Sequence, residues 1–255
     1  MHPVLFQLGR LTVYTYGLFV ALGFLAALWL IGREARRRGM DPAALQDLGL
    51  LAVVSALVGA RLFYVALEWR HFVEHPLQIV EIWKGGLVFY GGFLAATAAA
   101  AAFVRRRGLP FWTTADVAAP AVALGQALGR VGCFFAGCCY GAACELPWAV
   151  TFTDPRGLAP LGQPLHPTQL YSAVANLAVF AVLYVGVRPR QRFEGQLAGL
   201  YLVLYPAARF AVELFRDDPR GALGPLSTSQ ALGLPLILLG AWILWTRRRA
   251  PLPSR

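Results

Sequence analysis

The sequence predicts an all-α membrane protein that crosses the bilayer several times, and three observations carry this. Apolar residues make up 58% of the 255-residue chain, while charged residues make up only 14%. The apolar residues gather in blocks of about twenty, the length an α-helix needs to cross a hydrocarbon core. Arginines come in short bursts between those blocks, at every second gap. The formal net charge of +10 therefore forms helix-end clusters rather than one exposed basic face, which argues against a nucleic-acid partner.

Seven blocks read as spanning helices: roughly Val13–Ile31, Leu48–Leu67, Leu87–Val104, Val117–Phe135, Thr168–Val187, Gly195–Leu214 and Gln230–Trp245. The segment Pro76–Trp83 is too short to span and is expected along the interface. No basic n-region precedes the first block and no small-residue cleavage site follows it, so that block is expected to stay in the mature chain. Basic clusters follow the first block (Arg33, Arg36, Arg37, Arg38), the third (Arg105, Arg106, Arg107), the fifth (Arg188, Arg190, Arg192) and the seventh (Arg247, Arg248, Arg249). All four fall on one side, which the positive-inside rule makes the cytoplasm; the N-terminus is then outside and the C-terminus inside. The opposite loops hold acids and histidines: Glu68, His71, Glu74, His75 and Glu81, then Asp217 and Asp218. Trp69, Trp83, Trp112, Trp148, Trp242 and Trp245 lie near block ends, as an interfacial aromatic belt would. Residues 1–255 are expected to form a single transmembrane domain, with a short outer loop insertion at about 141–165.

Arginines also lie inside the blocks. Arg61 is in the second, Arg130 in the fourth and Arg209 in the sixth. A central Arg costs roughly 2.5–3.5 kcal/mol to insert, so such residues face protein or water and serve binding, relay or transport. For Arg61, Arg130 and Arg216 the alternative is snorkelling to headgroups. In the sixth block Tyr205, Arg209, Glu213 and Arg216 fall at i, i+4, i+8 and i+11, one stripe of a helix. Glu213 can hold the Arg209 guanidinium and leave its other edge for an anion; planar guanidinium groups take phosphate bidentately. The alternative is a closed ion pair that only locks helices together.

Further polar groups stand at the expected outer ends of the blocks. Tyr14 and Tyr16 open the first, and His166, Gln169 and Tyr171 open the fifth, with Pro167 suited to a first helical turn. The run Lys84-Gly-Gly-Leu-Val-Phe-Tyr90-Gly-Gly92 opens the third, and its glycines imply close approach to another helix or to a ligand. Cys133, Cys138, Cys139 and Cys144 lie at the end of the fourth block. On the outer side they are expected as disulfides or buried free thiols, with covalent thiol chemistry the lesser reading. Their C-x4-C-C-x4-C spacing lacks the paired C-x2-C of zinc sites, so no metal and no cofactor is assigned.

These segments, in this order, resemble the bacterial prolipoprotein diacylglyceryl transferases. The carriers are Tyr16-Gly-Leu; Gly59-Ala-Arg61-Leu-Phe-Tyr64; Lys84-Gly-Gly with Tyr90-Gly-Gly92; Asp116 with Ala119-Pro120; Gly129-Arg130-Val-Gly132 with Phe134; His166-Pro-Thr-Gln-Leu-Tyr171; and Tyr205 through Arg209 to Glu213-Leu-Phe-Arg216. The resemblance implies seven helices in the bacterial inner membrane. It implies transfer of the diacylglyceryl group of phosphatidylglycerol to the lipobox cysteine of a preprolipoprotein, with release of glycerol phosphate. The partners are then phosphatidylglycerol, the lipobox segment and the surrounding membrane lipids.

By the same resemblance Arg130 and Arg209 bind the phosphate, Glu213 orients, Arg216 stands near the gate and Tyr16 lines the cavity. The expected catalytic set is Arg130, Arg209, Tyr90 and Glu213. The expected substrate contacts are Tyr16, Arg61, Cys133, His166, Gln169, Tyr171, Tyr205 and Arg216. Two departures stand out. Tyr90 replaces a His before Gly-Gly, and Cys133-Phe-Phe-Ala-Gly-Cys138-Cys139 replaces Asn-Phe-x-Asn-Gly-Glu. They leave two alternatives: a paralogue of the same fold with another acceptor, or a thiol-redox or binding module built on the cysteines.

Overall fold

The computed structural model describes residues 2–9, 11–82, 85–217, 222–223 and 226–249, and the structural statements below concern those. Trp83, Lys84 and Asp218 lie outside them. The order is β1 (Val4–Leu8), β2 (Leu11–Tyr14), α1 (Thr15–Arg37), α2 (Pro42–Leu67), α3 (Trp69–Glu74), α4 (Phe89–Arg106), α5 (Phe111–Ala136), β3 (Val150–Thr151), β4 (Pro164–Leu165), α6 (Thr168–Ala181), α7 (Gln196–Glu213), β5 (Ala222–Leu223), β6 (Leu226–Ser227) and α8 (Thr228–Arg247). Most of each expected block is helical, the first beginning in β2 and the fifth continuing past α6 into a separate turn.

Five of these helices are long and apolar enough to cross a membrane: α1, α2, α5, α6 with its continuation to Arg190, and α8. Their surfaces are inverted relative to a water-soluble protein, with Leu25, Trp29, Val54, Leu62, Val185 and Leu238 among many large apolar side chains left exposed. The chain is thus a mostly helical, polytopic membrane protein. The helices α4 and α7 are 18 residues each and fall outside that apolar group. Arg105 and Arg106 end the first, and Arg209 and Glu213 lie in the second.

Local signals set the ends. Asp41 caps α2 by accepting from the Ala43 amide at 2.9 Å, with Pro42 in the first turn. Ser227 and Gln230 form a reciprocal capping box at α8. Beyond α6 the chain widens into a π turn over Val182–Val187 before a 3-10 turn at Arg188–Arg190. The short hairpins were not anticipated. β1 pairs with β2 and β3 with β4, both antiparallel, and the two-residue strands β3 and β4 carry no pattern long enough to read. The expected interfacial segment opens as a 3-10 turn over Pro76–Val80, and the short helix α3 precedes it.

The chain divides into two compact units, residues 31–114 and residues 1–30 with 115–255. In the first, α2 and α4 pack so closely that a Cβ on Gly92 would stand 2.8 Å from the Ala56 carbonyl oxygen. Small residues permit this approach, and it answers the question left by the glycines around Tyr90 in favour of helix packing. In the second, α7 and α8 cross in the same way at Gly199 and Gly240. A core of Ala119, Ala123, Val179, Leu183 and Leu197 joins α5, α6 and α7. Beneath it the fully buried Asp116 carboxylate accepts from the amides of Gly195 (2.7 Å) and Ala198 (2.9 Å) and from Gln191 Nε2 (2.6 Å). It seats the N-terminus of α7, where the helix dipole favours an anion.

Candidate active site

The larger unit gathers most of the expected polar groups at one end of α5, α6 and α7. On α7 the Arg209 Nη1 lies 2.8 Å from the Glu213 Oε2, one turn apart as the stripe requires, with side chains 14% and 8% exposed. At that depth the pair is little screened by water, unlike a surface ion pair. Arg209 shares a small polar pocket with Arg130 from α5, Ser172 and Asn176 from α6, and Tyr205. Two guanidinium groups on different helices thus line one recess. Tyr205 stacks on Tyr201 at 5.4 Å between ring centroids, and Tyr201 donates to Gln126 Oε1 at 2.9 Å. Asn176 Nδ2 donates to the Ser172 carbonyl at 2.7 Å. Its buried Oδ1 has no partner among the described residues.

Next to this recess is an apolar groove of about 560 Å3, lined by Trp148, Val150, Leu170, Tyr171 and Val174. Ala175 borders both. Its rim is fixed by Trp148 Nε1, which donates to the Tyr171 hydroxyl at 2.7 Å, and by His166 Nδ1, paired with the same hydroxyl at 3.2 Å. The His166 ring leans on Phe215 at 5.3 Å. Gly141 threads between these segments, and a Cβ there would meet the Phe215 carbonyl oxygen at 2.6 Å.

Beyond α5 the chain turns through Gly137 and a left-handed Cys139 (φ 62°). Two fully buried side chains at the start of α6 hold this turn. Thr168 Oγ1 donates to the Cys139 carbonyl at 2.7 Å and Gln169 Nε2 to the Cys138 carbonyl at 2.8 Å. The turn brings the thiols of Cys133, Cys138 and Cys139 within 4.8 Å of one another. All four cysteines carry free thiols. Arg130 lines the recess, and its charge also acts on the Cys139 thiol. The neighbouring Cys133 and Cys138 thiols, and then the charges of Arg216 and Arg130, favour the Cys139 thiolate against its burial, while the Cys138 thiol donates to the Cys133 carbonyl at 3.7 Å. Tyr16 stands beside this end of α5, where a Cβ on Gly132 would come 3.1 Å from its carbonyl oxygen.

The family model for prolipoprotein diacylglyceryl transferase matches residues 3–246. The chain belongs to this family. It is 40% identical over 257 residues to a phosphatidylglycerol–prolipoprotein diacylglyceryl transferase of Solidesulfovibrio magneticus, covering 98% of this chain and 95% of that one. It is 39% identical over 242 residues to the protein of the same name from Thermosynechococcus vestitus, covering 94% and 90%. It is also 39% identical over 251 residues to that of Geobacillus kaustophilus, covering 97% and 92%.

In this diacylglyceryl transferase family member, the fold joins Arg130, Arg209 and Tyr205 in the recess, with Glu213 paired to Arg209. It sets His166 and Tyr171 on the groove's rim, and Tyr16, Cys133, Gln169 and Arg216 around the thiol turn. Arg61 and Tyr90 belong to the smaller unit. There the buried Arg61 donates to four carbonyls, those of Ile79 (2.9 Å), Gln78 (2.5 Å), Gly85 (2.7 Å) and Gly86 (3.1 Å), and lies against Tyr64 and Phe72. Tyr90 sits in the first turn of α4, edge-on to Phe89 and exposed. Sequence reasoning missed Thr168, Ser172 and Asn176. Their signal was present, since they fall at i, i+4 and i+8 in an otherwise apolar block, a polar stripe that a lipid-facing helix would not keep. The thiol cluster was missed because a left-handed residue between helices, and no regular spacing, brings it together.

Proposed function

We propose that this family member transfers the diacylglyceryl group of phosphatidylglycerol to the thiol of a lipobox cysteine in a preprolipoprotein, releasing glycerol phosphate. One observation carries the reading: a recess with two guanidinium groups borders an apolar groove through Ala175. A phospholipid needs both, a cationic seat for its phosphodiester and an apolar one for its acyl chains. Arg130 and Arg209 grip the phosphate, and Glu213 keeps the Arg209 fork aimed. As the carbon–oxygen bond at the diacylglyceryl carbon breaks, negative charge grows on the departing glycerol phosphate, and preorganised guanidinium groups in a water-poor recess stabilise it. The Asn176 Oδ1 is suited to accept from a headgroup hydroxyl.

Tyr16, Tyr205 and Arg216 flank the lipid. His166, Gln169 and Tyr171 shape the rim and the thiol turn, Cys133 lies beside the phosphate seat, and Tyr90 handles a proton at the start of α4. Arg61 serves by fixing the loop before α4. The chain works as one transmembrane domain of seven spans in the bacterial cytoplasmic membrane, N-terminus outside and C-terminus inside. The second reading, the same chemistry on another acceptor, is favoured by the cysteine run that replaces the family's amides and carboxylate.

Membranes holding the protein, given phosphatidylglycerol and a synthetic lipobox peptide, test the first reading by the mass added to the peptide. The expected result is one diacylglyceryl group per cysteine, lost in Arg209→Ala. Full activity in that variant overturns the phosphate role. A well-expressed protein that leaves the peptide unmodified points to another acceptor.

A further inference from the structure

We propose that the thiols of Cys133, Cys138 and Cys139 form a three-sulfur seat for a Zn²⁺ ion, and that the ion's fourth position takes the acceptor cysteine of the transfer reaction. The second half rests on the transferase reading; the seat itself does not.

Four features support the seat. The three Sγ atoms already lie within 4.8 Å of one another, and tetrahedral zinc with Zn–S bonds near 2.3 Å needs sulfurs about 3.8 Å apart. Modest side-chain rotation closes that gap. The backbone is fixed for the purpose: Cys139 adopts a conformation that side chains other than glycine rarely take, and buried Thr168 and Gln169 tie the Cys138 and Cys139 carbonyls. Such strain persists only where surrounding structure over-determines it, and it clusters at functional sites. Third, the charge is balanced. Three thiolates and Zn²⁺ leave one net negative charge, and Arg130 and Arg216 both act on Cys139. Fourth, Cys144 belongs to a different part of the loop, where its amide donates to the Pro164 carbonyl at 3.1 Å. Three ligands with an open fourth position is the pattern of reactive zinc sites, whereas structural sites are closed by four.

The chemistry matches what the family's departures remove. A free cysteine, with a pKa near ~8.5, is only a few per cent thiolate at neutral pH. A thiol bound to zinc is deprotonated outright. The acceptor thiol would release its proton to solvent on binding. Its sulfur would then attack the diacylglyceryl carbon, forming the S–C bond as the C–O bond breaks. Glycerol phosphate departs with the electron pair, held between Arg130 and Arg209. The product thioether is a weak ligand and leaves, with the zinc unchanged. Arg130, which lines the recess and whose charge acts on Cys139, joins the two halves of the site.

The test uses the full-length protein in detergent, reduced and stripped with chelator. Zn²⁺ is added back and counted by atomic emission, and Co²⁺ serves as the optical probe through its sulfur-to-metal charge-transfer band. The expected result is one metal per chain and a cobalt band that shifts when lipobox peptide is added. The band should vanish in Cys133→Ser, Cys138→Ser and Cys139→Ser and persist in Cys144→Ser. Peptide lipidation should fall at least tenfold on stripping and return with Zn²⁺. A stripped wild-type protein that lipidates at full rate, or that shows no cobalt–sulfur band, overturns the inference while the transferase reading stands. Metal bound through the three thiols with no lipidation in any preparation overturns the transferase reading and the acceptor's place on the metal, and leaves the seat.

Discussion

The Arg209 guanidinium stands 2.8 Å from the Glu213 carboxylate one turn along α7, in a recess it shares with Arg130 of α5. The pair occupies one edge of the planar fork and holds it at a fixed angle. Replacing Arg209 with Ala is expected to lower lipidation of a lipobox peptide by roughly 10²–10³-fold, the cost of losing one preorganised donor to developing charge. Arg209→Lys should recover little, because an ammonium cannot reproduce the fork. Glu213→Gln should fall between wild type and Arg209→Ala, since the amide keeps the shape but not the charge. Initial rates over a range of phosphatidylglycerol concentrations order the three variants.

Asn176 yields a finer prediction. Its Nδ2 is committed to the Ser172 carbonyl while Oδ1 is buried without a partner among the described residues. A buried acceptor left so costs roughly 1–3 kcal/mol, which a ligand hydroxyl would relieve. Asn176→Ala should therefore raise KM for phosphatidylglycerol about tenfold and change kcat little. A headgroup analogue lacking the glycerol hydroxyls should bind wild type and variant alike. Equal loss of affinity for both lipids would remove Asn176 from headgroup recognition.

The helices were legible because twenty-residue apolar blocks have one physical interpretation in a bilayer, and so was the Arg209–Glu213 stripe, because helical period alone places one above the other. Asp116 is a different case. It stands out in the sequence as a carboxylate in an apolar stretch, yet its partners Gly195 and Ala198 are about eighty positions away, and only packing reveals that it seats a helix. Arg61 shows the same limit. An arginine inside a span reads as a ligand group, but the carbonyls that absorb its donors come from an irregular loop, and no periodicity predicts where such carbonyls point. The hairpins and the thiol turn depend on single residues with unusual φ, which leave no pattern to read.

Asp116 supports a stability prediction. Its buried oxygens accept from Gly195, Ala198 and Gln191, and removing it leaves the buried Gly195 amide and the part-buried Ala198 amide at the start of α7 without their acceptor. Asp116→Ala should cost about 3–5 kcal/mol, because two or three donors lose their acceptor at roughly 1–3 kcal/mol each. The unfolding midpoint in detergent should then drop on the order of 10 °C. Lipidation per folded molecule at low temperature should stay near wild type, which separates support of the helix from a part in the reaction.

The groove supplies the last test. Val174 is exposed on α6 and lines the apolar cleft of about 560 Å3 with Leu170 and Trp148. Val174→Trp would fill part of that space without adding charge and without touching the recess. If an acyl chain lies there, the variant should lose activity on long-chain phosphatidylglycerol about tenfold or more while keeping most of it on a short-chain analogue, whose tail ends before the obstruction. A burial loss of ~25 cal/mol per Å2 of apolar surface makes even a few displaced methylenes measurable. Uniform loss across chain lengths would place the acyl chains elsewhere. A loss that tracks the sequence of the lipobox peptide instead of the lipid would assign the groove to the acceptor segment.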